Sequence, residues 1–245
     1  DMSGDYLGDG ITLGFRRLSI IDLSEAGRQP MTSEDGRYTV IFNGEIYNYR
    51  EIKAQLAFRG HTFHSESDTE VLLHAYMEYG RGMLDHLRGM FSFAVWDDAE
   101  HSLFCARDYF GIKPFYYYPM PDGGLIFGSE IKSFLEHPDF DKRLNPRSLR
   151  PYLTFQYSSE DETFFEGVYK LTPAHWLFWK DGKLETGRYW ETDFVPDRTK
   201  SLDEWIELVD GAVCESVSAH RIADVKVGAF LSGGVDSSYI TAAMR

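Results

Sequence analysis

Ser232-Gly233-Gly234-Val235-Asp236-Ser237-Ser238 is the segment whose residue types and spacing speak most directly of chemistry. Two adjacent glycines let the backbone turn tightly and bring N–H groups close to an anion, and a helix starting there adds its positive dipole end. Phosphate is the natural ligand. The spacing is neither the GxxxxGK[ST] of a Walker loop nor the GxGxxG of a dinucleotide fold, and the plain alternative is a βα turn with a polar cap. Asn43-Gly44 is a second candidate, since a side-chain amide beside an unobstructed backbone N–H could donate to a developing negative charge. The same dipeptide is the strongest short signal for a type I′ hairpin turn, and taken alone it favours the turn. Cys105 sits in a β-prone run with Phe104 and Ala106, and Cys214 lies in a helical pattern, so both read as inert thiols. His61 and His64 would face opposite sides of a strand and could not chelate one metal, so no metal site is expected.

The elements that must position these residues can be read from periodicity. Residues 11–18 and 38–47 read as strands, and Arg50–Phe58 as a helix with Asn48 as cap and Gly60 as stop. Ser67-Asp68-Thr69-Glu70 has capping-box spacing and opens a helix that ends at Gly80, with Val71, Leu72, Ala75, Tyr76 and Tyr79 on one face. The β-prone runs Met90–Trp96 and Ser102–Arg107 flank a polar turn. Strands follow at 115–118 and 125–128, then a short helix at 130–136 and another opened by Pro146. The runs 174–180 and 183–190, joined by Asp181-Gly182, complete a further hairpin. Phe115-Tyr116-Tyr117-Tyr118 reads as sheet core. Successive hairpins with helices between them predict an α+β domain of layered antiparallel sheets over residues 1–190. Residues 191–200 read as a linker. Ser201-Leu202-Asp203-Glu204 is a second capping box, opening a helix with Trp205, Leu208, Val209, Ala212, Val213 and Val217 on one side. Val225–Leu231 then reads as a strand before the glycine turn and a helix over Tyr239–Met244, the first unit of a parallel α/β sheet over 201–245.

Composition bounds the function. With 25 basic against 39 acidic side chains in 245 residues and a net charge of −14, passive attraction to nucleic acid or an anionic membrane is not expected. The longest apolar run, Met90–Trp96, is far shorter than the roughly 18 residues of a membrane helix. The acidic, glycine-rich start is no signal peptide, and two distant cysteines suggest a reducing cytoplasm. Both ends read as cut.

Taken in order, the motifs Arg16-Arg17-Leu18-Ser19-Ile20-Ile21-Asp22, Asn43-Gly44-Glu45-Ile46-Tyr47-Asn48, Ser67-Asp68-Thr69-Glu70, Leu87-Arg88-Gly89-Met90-Phe91, Arg107-Asp108, Gly111-Ile112-Lys113-Pro114 and Gly128-Ser129-Glu130-Ile131-Lys132, followed by SGGVDSS, resemble glutamine-dependent asparagine synthetases. The resemblance spans essentially the whole chain. It implies N-terminal-nucleophile-type αββα glutaminase layers, then the opening strand, loop and helix of an ATP pyrophosphatase domain. In that family an N-terminal cysteine attacks the glutamine amide with its own α-amine as base, and the ammonia passes to an adenylated carboxylate. No cysteine of this chain matches, so the nucleophile is expected upstream of Asp1 and the chain alone is expected to be inactive.

A bound glutamine needs its carboxylate and ammonium neutralised, and Arg17 and Asp68 are the matching positions. For Asp68 a helix-dipole role is equally available, and both are compatible. The resemblance makes Asn43 and Gly44 the oxyanion donors and adds Leu18, Ser19, Ile20, Ile21 and Glu45 to the glutamine pocket. Leu231, Ser232, Gly233, Gly234, Asp236 and Ser237 would hold ATP with Mg2+. Aspartate is the expected acceptor. Alternatives are a relative amidating a different carboxylate, a β-lactam-forming relative without glutaminase activity, or, for the fragment, a binding module. The resemblance admits a homodimer, and the sequence leaves the oligomeric state open. Residues 201–245 are expected to lack sheet partners and to be poorly ordered or held by makeshift contacts.

Overall fold

The computed structural model describes residues 2–18, 20–158 and 161–245. In chain order its elements are β1 (Met2–Gly8), β2 (Ile11–Arg17), β3 (Met31–Thr32), β4 (Tyr38–Ile46), α1 (Tyr49–Phe58), α2 (Asp68–Tyr79), β5 (Gly89–Asp97), β6 (Ser102–Arg107), β7 (Tyr116–Pro119), β8 (Leu125–Gly128), α3 (Leu149–Phe155), β9 (Tyr169–Lys170), β10 (His175–Lys180), β11 (Lys183–Arg188), α4 (Leu202–Ala219) and α5 (Val235–Ala243). A 3-10 stretch at Ile131–Glu136 takes the place of the helix expected after Gly128, while the helix expected at Pro146 forms, opening as a 3-10 turn at Pro146–Ser148 that runs directly into α3.

Strict alternation explains the layering. Along β5, Phe91, Phe93 and Val95 face one side and Ala94 and Trp96 the other, and β6 and β10 repeat the split with Phe104 and Ala106 against Leu103 and Cys105, and Trp176 and Phe178 against Leu177 and Trp179. The first side buries α1 and α2 through Ile52, Leu56, Val71, Leu72 and Ala75. The second packs on the β1–β2 hairpin and on β7 and β8 through Tyr6, Ile11, Tyr117 and Phe127. The central sheet has the order β11-β10-β6-β5-β4-β3, and a three-stranded sheet β8-β7-β9 lies against it, all pairings antiparallel. Phe134, Phe140 and Ile131 cover the outer side of the small sheet, so the fourth layer is built from the 131–140 segment instead of long helices. Asp181 and Gly182 both take positive φ, 49° and 74°, as the β10–β11 hairpin turn requires.

Several local expectations are corrected. The strand β1 carried no clear sequence signal because Gly4 and Gly8 interrupt its alternation. Asn48 does not cap α1. Its side chain instead accepts from the Arg88 N–H at 2.9 Å and donates to the His86 carbonyl at 2.9 Å, tying α1 to the start of β5. Ser67 caps α2 through the Thr69 N–H, but the reciprocal arm of the box is missing, because Glu70 turns back to the N–H groups of His64 and Ser65. At Ser201–Glu204 the full box forms. His61 and His64 lie in a loop, where His61 meets His74 and Glu78 and His64 meets Glu34. Residues 225–231 form no strand, since a strand needs a ladder partner and none of the described residues supplies one. The following helix starts earlier than expected, at Val235, directly on the glycine turn.

The 201–245 part touches the layered domain at specific points. Arg88 forms a two-pronged ion pair with Glu215, the Tyr47 and His220 rings lie 4.1 Å apart, and Ile222 packs on the first core. Elsewhere on α4, Ile206, Leu208 and Val209 are at least half exposed.

β4 and β5 approach so closely that a Cβ on Gly89 would overlap the Glu45 carbonyl oxygen, and one on Gly44 the Met90 carbonyl oxygen. Gly89→Ala is therefore expected to destabilise the fold by about 1–3 kcal/mol, read from urea melts. A stability equal to that of the unsubstituted chain would show that this crossing is not tight.

Candidate functional site

A cleft of about 880 Å³ opens between the edge of β4, the end of β2 and the end of β8. Its floor follows from β4. Tyr47 N–H bonds the Arg88 carbonyl at 2.7 Å, so odd-numbered residues of β4 bond toward β5 and even-numbered ones point their N–H groups outward. Two of these outward groups are taken by side chains. Gln29 brackets Phe42, donating to its carbonyl at 3.1 Å and accepting from its N–H at 2.6 Å. Asp68 Oδ2 accepts from the Ile46 N–H at 3.1 Å. The Gly44 N–H lies between them, and by this alternation it faces the cleft.

Asn43 is thus a mid-strand residue, and the hairpin-turn reading of Asn43-Gly44 is rejected: Asn43 pairs with Ser92 and Gly44 with Phe91. Asn43 Nδ2 lies 3.3 Å from Ser129 Oγ. A side-chain amide carries two N–H bonds, so one remains beside the Gly44 N–H for a ligand. The absence of a Cβ at Gly44 permits both the crossing of β5 and close approach from the cleft.

Arg17, at the end of β2, is buried. Its Nη2 donates to the carbonyls of Ile21 at 2.9 Å and Asp22 at 2.6 Å, and its Nη1 to that of Ser24 at 3.3 Å. Gly27 packs on the guanidinium so tightly that no side chain fits there. Three of the five guanidinium N–H bonds are thus spent on the 21–24 loop, and the Nε–H and one Nη1–H are left.

Asp68, at the first position of α2, is 5% exposed, and none of the described residues places a cation within salt-bridge distance of it. Burial pushes its carboxyl up to about 7, with the nearby Glu45 charge adding to the effect and the bond from the Ile46 N–H opposing it. Glu45 is itself raised by burial, offset in part by Lys113 and His220. The cleft therefore holds a buried acid that wants a cation and an arginine with donors to spare. An α-amino acid supplies both complements.

Of the expected pocket residues, Arg17, Leu18, Ile20, Ile21, Asn43, Gly44, Glu45 and Asp68 all line this cleft. Ser19 lies outside the described residues. Sequence reasoning missed Gln29, Lys113 and Ser129, which line it too. Lys113 and Ser129 fall inside motifs noted without a role, whereas nothing around Gln29 marks it. Neither cysteine reaches the cleft: Cys105 is fully buried in the central sheet, which pushes its thiol far up, and Cys214 is exposed on α4.

The glycine turn is separate from the cleft. Leu231, Ser232, Gly233, Gly234 and Asp236 are exposed. Gly233 takes φ +82° with open space where a side chain would stand, and Gly234 caps α5 without a side-chain bond, which leaves its first N–H groups for an anion. Ser232 and Ser237 hydroxyls lie 3.0 Å apart across the turn. Asp236, in the first turn of α5, supplies one carboxylate, and one carboxylate plus phosphate oxygens is how Mg2+ is commonly held. Among the described residues no group of three or more His, Cys, Asp or Glu could hold a metal by itself. Among the described residues no helix is long and apolar enough to cross a membrane.

The family model described as "Glutamine amidotransferase domain" matches residues 1–190, and that described as "Asparagine synthase" matches residues 208–245. Asparagine synthetase [glutamine-hydrolyzing] 1 of Bacillus subtilis (strain 168) is 41% identical over 246 residues, which cover 100% of this chain and 38% of that protein. Amidase chry2 of Gibberella zeae is 39% identical over 247 residues, covering 98% of this chain and 36% of that protein. The chain thus spans well under half the length of these relatives. Among solved structures, the glutamine phosphoribosylpyrophosphate amidotransferase from B. subtilis superposes with a TM-score of 0.53 at 16% identity, covering 95% of this chain and 49% of that one. That likeness is one of fold.

Asp68 gives the site a pH signature. A carboxyl raised from 3.8 to about 7 on folding makes the folded state bind more protons in that window, so its contribution to stability falls as pH rises from about 4 to 7 and stays low above. Asp68→Asn is expected to match the unsubstituted chain near pH 4 and to exceed it in stability at pH 8, measured by urea denaturation at both. An equal difference at the two pH values would refute the raised carboxyl.

Proposed function

The chain belongs to the glutamine amidotransferase domain family, and from that premise we propose that it is part of a glutamine-hydrolysing asparagine synthetase whose first pocket is the cleft at the edge of β4. The observation that carries this reading is the conjunction, in one cleft, of Arg17 with unspent donors, the uncompensated Asp68 and the Asn43-Gly44 pair of donors. Arg17 takes the α-carboxylate of glutamine and Asp68 its ammonium. The side-chain carbonyl then lies against the Asn43 amide and the Gly44 N–H, which stabilise the negative charge that builds on oxygen during amide hydrolysis. The nucleophile is a cysteine outside this chain, since Cys105 is walled in and Cys214 is remote from the cleft.

The glycine turn belongs to the second half-reaction. Its open N–H groups and Asp236 would hold the pyrophosphate of ATP with Mg2+, which supplies the charge neutralisation for adenylating aspartate, and ammonia from the first pocket completes asparagine. The chain then works in the cytoplasm, free of nucleic acid and membrane. A second reading, amidation of another carboxylate, is favoured by the 39% identity to Amidase chry2, and an acceptor screen with aspartate and other small carboxylates separates the two.

In the whole protein, Arg17→Ala is expected to raise the glutamine requirement on the order of 30- to 1,000-fold, as for a charged hydrogen-bonded group losing its partner, while ammonia-dependent synthesis survives. Asp236→Ala is expected to remove synthesis from both nitrogen sources. The reading fails if Arg17→Ala abolishes ammonia-dependent synthesis in folded protein, or if Asp236→Ala leaves it intact. Glutamine affinity is also expected to rise with pH through about 7, because the ammonium binds the ionised form of Asp68. A flat affinity between pH 5.5 and 8 would remove Asp68 from the pocket.

A further inference from the structure

Asp22 stands where three distant stretches of chain meet. Its backbone carbonyl accepts from Arg17 Nη2 at 2.6 Å. Its carboxylate accepts from the Ser24 N–H and, at 2.9 Å, from the N–H of Glu66, two residues before Asp68. Its own N–H donates at 2.8 Å to Oδ2 of Asp224, which lies 202 residues further along. Asp224 also donates its backbone N–H to the Ile20 carbonyl at 2.9 Å. One residue between α4 and α5 therefore grips the 20–24 loop at two points, through one donor and one acceptor.

Ile21 anchors that loop in the first core and the Glu66 N–H holds the Asp22 carboxylate, which leaves the main chain at Asp22 to be held by Arg17 and Asp224. Asp22 takes a φ of +51°, a region that a residue with a side chain occupies only when its surroundings hold it there. The Arg17 guanidinium depends on the carbonyls of residues 21, 22 and 24, so its remaining donors aim no better than the loop is fixed. The Arg88–Glu215 ion pair, by contrast, joins the two parts of the molecule at the start of β5 and touches none of these groups.

We propose that Asp224 is a positioning residue of the amino-acid pocket: by clamping Ile20 and Asp22 it fixes the carbonyls that orient Arg17, so the segment leading into the phosphate loop sets carboxylate affinity in the first pocket. The proposal rests on the reading of the cleft as a glutamine site. It makes the approach to the glycine turn a mechanical part of the first pocket, with coupling in both directions, since any shift of Asp224 on filling of the second site is felt at Arg17.

The test uses the 245-residue chain, with L-glutamine as the titrant and hydrogen exchange of the Asp22 amide as a second readout. Asp224→Ala is expected to weaken L-glutamine binding about tenfold and to speed Asp22 exchange by a similar factor. Asp224→Asn keeps an acceptor oxygen and is expected to stay within about twofold of the unsubstituted chain. Glu215→Ala, which breaks the separate ion pair, is expected to do the same. The proposal is overturned if Asp224→Ala binds glutamine normally, or if Glu215→Ala weakens binding as much, which would assign the effect to docking in general. If the unsubstituted chain binds no L-glutamine, the pocket reading itself falls, and unchanged Asp22 exchange in Asp224→Ala then sinks the clamp as well.

Discussion

Past its two-residue pairing with β3, β4 has one side without a strand neighbour, which leaves every second N–H there without a strand partner, and how β4 meets that demand decides where the site can be. Gln29 closes the edge at Phe42 and Asp68 closes it at Ile46. Between them the Gly44 N–H has no side chain laid over it, and the cleft opens at that gap. An exposed edge of this length would ordinarily invite another strand. Here it is blunted by two buried polar side chains that also form the pocket wall, so the same groups prevent unwanted pairing and hold the Asn43 and Gly44 donors in register. The close crossing of β4 and β5 at Gly44 and Gly89 fixes that register, because a slip of one residue would place a side chain against a carbonyl on either strand.

The opposite wall is held by two neighbours, the half-buried Arg107 and the buried Asp108. Asp108, 1% exposed, accepts backbone N–H bonds from Phe91, Phe110, Ile112 and Lys113, while Arg107 donates to the carbonyls of Gly111, Lys113 and Leu171. Neither side chain pairs chiefly with the other. Each satisfies main-chain groups of a loop that would otherwise bury them unpaired, which is where polar groups inside a protein are most valuable. The result is a 108–114 segment that runs from β6 to β7, is tied to β5 at Phe91, and carries Lys113 to the cleft beside Glu45.

These facts explain what the sequence revealed and what it withheld. The layered sheets were legible because β5, β6 and β10 are runs of β-prone residues, and Asp181-Gly182 supplies the positive φ values that the β10–β11 turn requires. Arg17, Asn43, Gly44 and Asp68 were legible through a resemblance, since on its own Asn43-Gly44 favoured a turn that the structure does not contain. Gln29 was invisible: its role depends on a strand edge 13 residues away, and no local pattern announces that. The local capping rules failed where a long-range partner offered more, as when Asn48 bonded Arg88 and Glu70 bonded Ser65. The strand expected at 225–231 failed for a related reason. Hydrophobic pattern proposes a strand, but only a neighbour makes one.

The charge arrangement of the cleft also bears on what it selects. Holding Asp68 buried beside Glu45 without a cation is costly, and the raised carboxyl is the expression of that cost. A ligand that brings an ammonium relieves it, whereas an otherwise identical acid lacking the amine leaves Asp68 either protonated or unpaired. Arg17 imposes the complementary demand, because a ligand without a carboxylate would bury its remaining donors unsatisfied. A site that penalises the absence of either group discriminates more sharply than one that merely rewards their presence. Discrimination of that kind needs both groups fixed in space. Asp68 is fixed by α2 and its cap, and Arg17 by a loop whose central residue is held by Glu66 on one side and by Asp224 on the other. The selectivity of such a pocket is as rigid as its least rigid anchor, and one of the bonds that hold the Arg17 side comes from Asp224, in the part of the chain that leads to the glycine turn.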